Sequence, residues 1–206
     1  SAVFPVGGST GQLLNRLLRD EGVSCITVDA ASETRQVFTL VEDTTDRQYR
    51  FVLPGAPLSE REWNACISAT ASVKPAPSMI VISGSLPSGI TSEKFGRAIR
   101  TIKTCGAKIA LDTSEGPLQA AIDEGIYLIK PNLKEFQELV GLSSDEDSAL
   151  IDAGRALIAR GAVAIIAISL GDDGALLISA DRALRARPLN VEPVSVVGAG
   201  DSFHAA

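Results

Sequence analysis

Apolar runs of strand length alternate with stretches of helical period along nearly the whole chain, and this alternation limits the possible folds more than any other feature. Residues 23–28, 79–83, 107–112, 126–130 and 163–169 are strand-like. Most of them are apolar without a break, as strands covered on both faces of a parallel sheet must be. Between them, residues 10–21, 58–73, 92–105, 116–124, 133–140 and 148–160 carry helical periodicity. In the first of these, Leu13, Leu14, Leu17 and Leu18 share one face, with Arg16, Arg19 and Asp20 opposite. Gly22, Gly106, Gly125, Gly141 and Gly161 each follow a helical pattern, where a left-handed cap ends a helix. The alternation predicts right-handed βαβ units, hence an α/β, doubly wound, mostly parallel sheet with helices on both sides. One segment breaks the pattern. Residues 36–53 form two alternating runs around a polar turn at 43–46, which predicts a half-exposed antiparallel hairpin apart from the parallel core. A hairpin in that setting serves as a flap over a site, a dimer contact or an edge ornament.

Composition excludes several function classes. At 206 residues and 45% hydrophobic, the chain can bury a sizeable core and reads as one α/β domain over 1–206. No window approaches the roughly 18 uncharged apolar residues of a membrane span. A formal net charge of −6 disfavours a duplex-binding surface, so neither nucleic acid nor membrane is an expected partner. Cys25, Cys66 and Cys105 form no CxxC pair, and so sparse a set reads as reduced thiols in a cytoplasmic protein. Trp63 with Cys66 reads as packing, and Cys25 and Cys105 as inert. His204 is the sole histidine, which argues against a Ser–His–Asp triad or a zinc centre.

In open parallel sheets, ligands bind beyond the carboxyl ends of the strands. Those ends carry Gly84-Ser85-Leu86-Pro87, then Asp112, then Lys130-Pro131-Asn132-Leu133-Lys134-Glu135, then Ser169 to Gly174, and finally Gly198-Ala199-Gly200-Asp201. Small residues leading into a helix leave backbone N–H groups facing an anion, and an acid beside them suits proton abstraction from a hydroxyl. A tight turn with Asp201 as N-cap explains the same spacing. Lys130 at a strand end can meet phosphate oxygens, and Asn132 with Glu135 can hold Mg²⁺ through its waters. A capping box explains that pair equally well. Asp112 is a lone carboxylate, a ligand or a cap, and Asp172 with Asp173 reads as a solvated turn.

Taken together, FPVGGSTG, TRQ, QYRFVLPG, VISGSLPSG, KPNLKE, SLGDDGAL and SVVGAGDS resemble, in order and spacing, the ribokinase-like PfkB carbohydrate kinases over essentially the whole chain. The resemblance implies a ribokinase-like fold whose small β lid includes residues 34–54. It makes Asp201 the general base on a sugar hydroxyl, with Gly198, Ala199 and Gly200 as the anion hole for the transferred phosphoryl group. Asn132 and Glu135 would organise Mg²⁺, Lys130 the nucleotide phosphates, and Ser169, Gly171 and Gly174 the loop along ATP. Ser195 and Val197 fall where family members offer oxygens to K⁺. Arg35 would grip a sugar 6-phosphate, Ser85 would touch the sugar, and the lid would build a homodimer.

Many members place Asp-Thr before the glycines, where this chain has Ser195-Val196-Val197. The phosphofructokinase branch shares that form, which favours a phosphosugar. The expected activity is ATP-dependent transfer to the 1-hydroxyl of fructose 6-phosphate, in line and without a phosphoenzyme. Tagatose 6-phosphate or fructose 1-phosphate is the alternative substrate. A non-catalytic sugar-phosphate or nucleotide binder is the alternative from another class, and Asp201 weighs against it. The family's opening strand, early sugar-binding aspartate and GGxxxN motif are expected before Ser1, and the adenine-pocket helices after Ala206. The sequence therefore reads as an internal part of a longer kinase, with little or no activity alone.

Overall fold

The computed structural model describes residues 1–45, 47–113, 115–188 and 202, and the chain divides into two units, Ser1–Lys74 with Leu86–Ile90 and Pro75–Ser85 with Thr91–Ala206. The first unit holds β1 (Ala2–Val6), α1 (Gly8–Asp20), β2 (Cys25–Asp29), β3 (Val37–Val41), β4 (Gln48–Val52) and α2 (Glu60–Ala71). β1 and β2 pair in parallel, Ala2 beside Cys25 through Val6 beside Asp29, with α1 as their crossover. β3 and β4 form the expected antiparallel hairpin, in register from Val37 opposite Val52 to Val41 opposite Gln48. Its alternation predicts one covered face, yet every residue of both strands is exposed. The leucine face of α1 differs in the same direction: Leu13, Leu14 and Leu17 are all exposed. α2 begins with a reciprocal cap. The Ser59 hydroxyl accepts from the Glu62 N–H, and the Glu62 carboxylate accepts from the Ser59 N–H at 2.7 Å.

The second unit contains β5 (Met79–Ser83), α3 (Ser92–Lys103), β6 (Lys108–Asp112), α4 (Glu115–Asp123), β7 (Ile126–Ile129), α5 (Leu133–Val140), α6 (Asp147–Ala159), β8 (Val163–Ser169), β9 (Ala175–Ile178) and β10 (Ala183–Ala186). Its six strands lie in the order β10-β9-β8-β7-β6-β5. Neighbours from β5 to β8 run parallel, whereas β9 and β10 are added antiparallel at one end. The α/β architecture with a mostly parallel sheet is thus as the alternation predicts, and the antiparallel end is an addition to it. The core explains why these segments fold as they do. α3 starts at Thr91, whose hydroxyl accepts from the Lys94 N–H, and buries Phe95, Ala98, Ile99 and Ile102, one face at helical spacing. Ile99, Leu111, Ile129, Phe136, Leu150 and Ile166 are fully sealed from solvent. Each such side chain stabilises the fold by about 1.5–3 kcal/mol relative to exposure. Among the described residues, no helix is long and apolar enough to cross a membrane.

Candidate functional site

Four parallel strands end on one edge of the second unit's sheet, and Ser83, Asp112, Lys130 and Ser169 lie at or just beyond those ends. The β5–β6 register runs from Met79 beside Lys108 to Ser83 beside Asp112, and the Gly84 N–H donates to the Asp112 carbonyl at 3.1 Å. Ser85 follows directly on this turn. β6 and β7 align Leu111 with Ile129, and one further step sets Asp112 beside Lys130. The Lys130 N–H donates to the Leu111 carbonyl at 3.0 Å, and its ammonium lies 3.2 Å from the Asp112 carboxylate. The Lys130 side chain is 7% exposed and that of Asp112 20%, so the charge pair is largely withdrawn from water. A buried ammonium is stable only when paired, and here the pair fixes one cation at the strand ends.

The chain continues from Lys130 through Pro131 to Asn132, which caps α5. The Asn132 side-chain oxygen accepts from the Glu135 N–H at 2.9 Å, and the Glu135 carboxylate accepts from the Asn132 N–H at 2.8 Å. These two residues are therefore joined in the capping box that their spacing allows. Asn132 also bridges to Ser169 at the end of β8, where the Ser169 N–H donates to the Pro131 carbonyl at 3.0 Å. Lys130, Asp112, Asn132, Glu135 and Ser169 thus occupy one stretch of the sheet edge. Their chemistry is one cation beside hard oxygen donors at a helix N-terminus, a set suited to phosphate and to a hydrated divalent ion.

Beyond Ser169, a single 3₁₀ turn at Gly171–Asp173 leads into β9. Gly174 stands at φ +91°, and a Cβ there would fall 2.1 Å from the Ala186 carbonyl oxygen, so only glycine lets β9 start so close to the end of β10. Asp172 and Asp173 lie in this turn, and the Asp173 carbonyl accepts from the Arg185 guanidinium at 2.9 Å. Arg185 also pairs with Asp147 at 2.7 Å.

In the first unit, parallel pairing of β1 with β2 puts the carboxyl ends of both strands on one side. Gly7 with the first turn of α1 and the segment holding Arg35 therefore emerge together. The Thr34 N–H donates to the Gly7 carbonyl at 2.9 Å, the Gly7 N–H donates to the Thr34 hydroxyl at 3.1 Å, and the Gln36 amide donates to the Thr10 hydroxyl at 2.6 Å. The Arg35 side chain runs past Gly55, whose missing Cβ would stand 3.5 Å from its Cδ.

Gly198, Ala199, Gly200 and Asp201, with Ser195 and Val197, lie outside the described residues. Among the described residues, no group of three or more His, Cys, Asp or Glu side chains is placed to hold a metal. Sequence reasoning left Asp112 without a partner. Its signal was present in two neighbouring strands that end on opposite charges, but the β6–β7 register is needed to join them.

The family model of the pfkB family carbohydrate kinases matches residues 1–206. ATP-dependent 6-phosphofructokinase isozyme 2 of Mycobacterium tuberculosis is 38% identical over 206 residues, which is 100% of this chain and 60% of that protein. A 1-phosphofructokinase of Xanthomonas campestris is 32% identical, over 98% of this chain and 65% of that protein. The crystal structure of phosphofructokinase-2 from Escherichia coli in complex with fructose-6-phosphate superposes with a TM-score of 0.90 at 36% identity, over 97% of this chain and 65% of that one. The same protein has been solved with potassium and in a tetrameric inhibited form, each with a TM-score of 0.91. The chain spans 60% and 65% of the two curated relatives, less than two thirds of either. A strand edge that gathers Lys130, Asn132 and Glu135, and a family match that runs from the first residue to the last, lead to one conclusion: the chain belongs to the pfkB family of carbohydrate kinases.

Proposed function

We propose that this chain is part of an ATP-dependent kinase that phosphorylates the 1-hydroxyl of fructose 6-phosphate. The observation that carries the reading is the buried Lys130 ammonium, fixed by Asp112 at the sheet edge and followed at once by the Asn132–Glu135 cap of α5. Phosphoryl transfer requires little covalent help from a protein. It requires charge and donors held rigidly where negative charge moves. In this reading Lys130 meets the nucleotide phosphates, and the loop of Ser169, Gly171 and Gly174 lies along ATP. The oxygens of Asn132 and Glu135 are the hard donors Mg²⁺ prefers, and they would hold it through its waters. The ion, when bound, neutralises phosphate charge. Asp201 takes the proton of the sugar hydroxyl, while the N–H groups of Gly198, Ala199 and Gly200 meet the transferred phosphoryl oxygens. Ser195 and Val197 offer oxygens to K⁺, Arg35 grips the 6-phosphate, and Ser85 touches the sugar.

The hairpin of β3 and β4 is the lid in this reading, and its exposed Phe38, Leu40, Tyr49 and Phe51 pack against a second copy of the chain. Fructose 1-phosphate is the second substrate reading, favoured by the likeness to a 1-phosphofructokinase. The test is ADP release by the complete gene product with fructose 6-phosphate, tagatose 6-phosphate and fructose 1-phosphate. Fructose 6-phosphate should give the highest kcat/KM. Asp201→Asn should lower kcat about 10²- to 10⁴-fold, and turnover near that of the native protein would remove Asp201 from the base role.

A further inference from the structure

The N-terminus of α1 looks at first like an anion site: Gly7 at the N-cap is followed by a glycine-rich first turn, Gly8-Ser9-Thr10-Gly11. It lacks its own cap. Gly7, the N-cap residue, has no side chain to offer, and the first turn contains no acid. The missing acceptor comes from elsewhere in the same unit. The Glu33 carboxylate accepts from the Thr10 N–H at 2.7 Å and from the Ser9 hydroxyl at 3.3 Å. Gly8, at φ +63°, leaves the space that this carboxylate occupies, since a Cβ there would fall 1.6 Å from a Glu33 oxygen. The hydrogen bond from the Thr10 N–H, foremost among several, holds the Glu33 carboxyl below the usual glutamate range. The place an exogenous phosphate would take is thus filled by the protein itself.

Glu33 lies two positions before Arg35, on a segment tied down along its length. Thr34 exchanges two hydrogen bonds with Gly7, and Gln36 donates to Thr10. From the other side, the Glu62 carboxylate that caps α2 accepts from the Ala31 N–H at 2.6 Å. We infer that Glu33 is a positioning residue for phosphosugar binding: by capping α1 from outside the helix, its carboxylate fixes the backbone from which Arg35 reaches the substrate phosphate. The inference rests on the reading of Arg35 given under Proposed function.

The test is steady-state kinetics on the complete gene product, in native form and as Glu33→Ala, Glu33→Gln, Arg35→Ala and Glu33→Ala with Arg35→Ala. Glu33→Ala should raise the KM for fructose 6-phosphate about three- to tenfold, as expected for loss of a helix cap, with kcat and the KM for ATP unchanged. Glu33→Gln keeps one acceptor oxygen and should recover most of that loss. In the Arg35→Ala background, removal of Glu33 should add nothing. If Arg35→Ala raises the KM for fructose 6-phosphate but neither Glu33 variant does, the positioning role is overturned and the Arg35 reading stands. An equal effect of Glu33→Ala on both KM values also overturns it, since that is general loosening. If Arg35→Ala leaves the phosphosugar KM unchanged, the Arg35 reading falls and the inference falls with it. Should Glu33→Ala fail to fold, Glu33→Gln alone and combined with Arg35→Ala decides by the same comparison.

Discussion

Phe38 and Phe51 face each other across the β3–β4 hairpin with 49% and 50% of their surface in solvent, whereas Ile99, Leu111 and Ile166 in the second unit are wholly enclosed. The contrast extends to the two units as wholes. Every buried hydrophobic residue among those described lies between Phe95 and Ile178, and in the first unit only Gly7 and Gly11 are buried. The second unit is thus held by apolar burial between helices and a six-stranded sheet. The first is tied beyond the carboxyl ends of β1 and β2 by carboxylates that cap helices, Glu33 on α1 and Glu62 on α2, and it leaves apolar side chains in solvent. Exposed apolar patches of this kind mark surfaces that take a partner. Rigidity therefore sits under Lys130 and Asn132, while the segment bearing Arg35 and the proposed lid depends on a few polar links.

The largest effect should separate the units by their cores. Leu111→Ala removes a fully enclosed side chain from β6 and should cost about 2–5 kcal/mol in denaturant unfolding. Phe38→Ala removes a half-exposed one and should stay within about 0.5 kcal/mol at protein concentrations low enough to hold the chain monomeric. Equal losses at both positions would break the comparison.

The charge pair comes next. Asp112→Ala leaves the Lys130 ammonium buried without a partner and should cost about 2 kcal/mol. In a Lys130→Met background the same change should cost far less, because no buried charge then remains. A loss that persists undiminished there would show that Asp112 acts through something other than Lys130.

The pair also marks where the sequence stopped being legible. β5, β8 and α5 keep the bounds that their apolar runs predict, since continuous burial and a capping residue are local signals. The Asn132–Glu135 spacing fits both a cap and a metal-ligand pair, because a side chain that caps a helix and one that meets a cation stand at the same interval. β9 and β10 were not predicted. ALLI is too short to distinguish from a helix fragment, and ALRA has no unbroken apolar run; β9 returns along β8 through the turn at Gly171–Asp173, and β10 returns along β9 through the turn that the Ser179 N–H closes on the Arg182 carbonyl. Residues 4–11 stand out in the sequence only as a motif, and Pro5, a residue uncommon inside strands, lies within β1. The Asp112–Lys130 contact needs the register of two strands, which neither strand contains alone. The exposure of both hairpin faces was likewise hidden, since alternation reports which residues share a face and not whether anything covers it.

The hairpin offers the next test. Phe38→Ser should leave monomer unfolding nearly unchanged while weakening self-association of the complete gene product, read by sedimentation velocity across a dilution series. An unchanged association constant would remove the hairpin from the proposed interface.

The smallest effect separates the units by acid. Hydrogen bonds hold the carboxyls of Glu33 and Glu62 below their ordinary value of 4.5, the foremost being that from the Thr10 N–H for Glu33 and that from the Ser59 hydroxyl for Glu62. A carboxyl whose pKa is lower when folded binds fewer protons there than in the unfolded chain. Its contribution is present above 4.5 and is lost as pH falls through the lowered folded value. Between about pH 6 and pH 3.5, hydrogen-exchange protection at the Thr10 and Ala31 amides, corrected for intrinsic rates, should therefore fall. Protection at Ile166 in β8, which rests on apolar burial, should hold over the same range. Glu33→Gln has no proton to gain, so it should flatten the response at Thr10 and leave that at Ala31, which answers to Glu62. If all three amides lose protection together, acid acts on the molecule as a whole and the division between a carboxylate-tied unit and an apolar one fails.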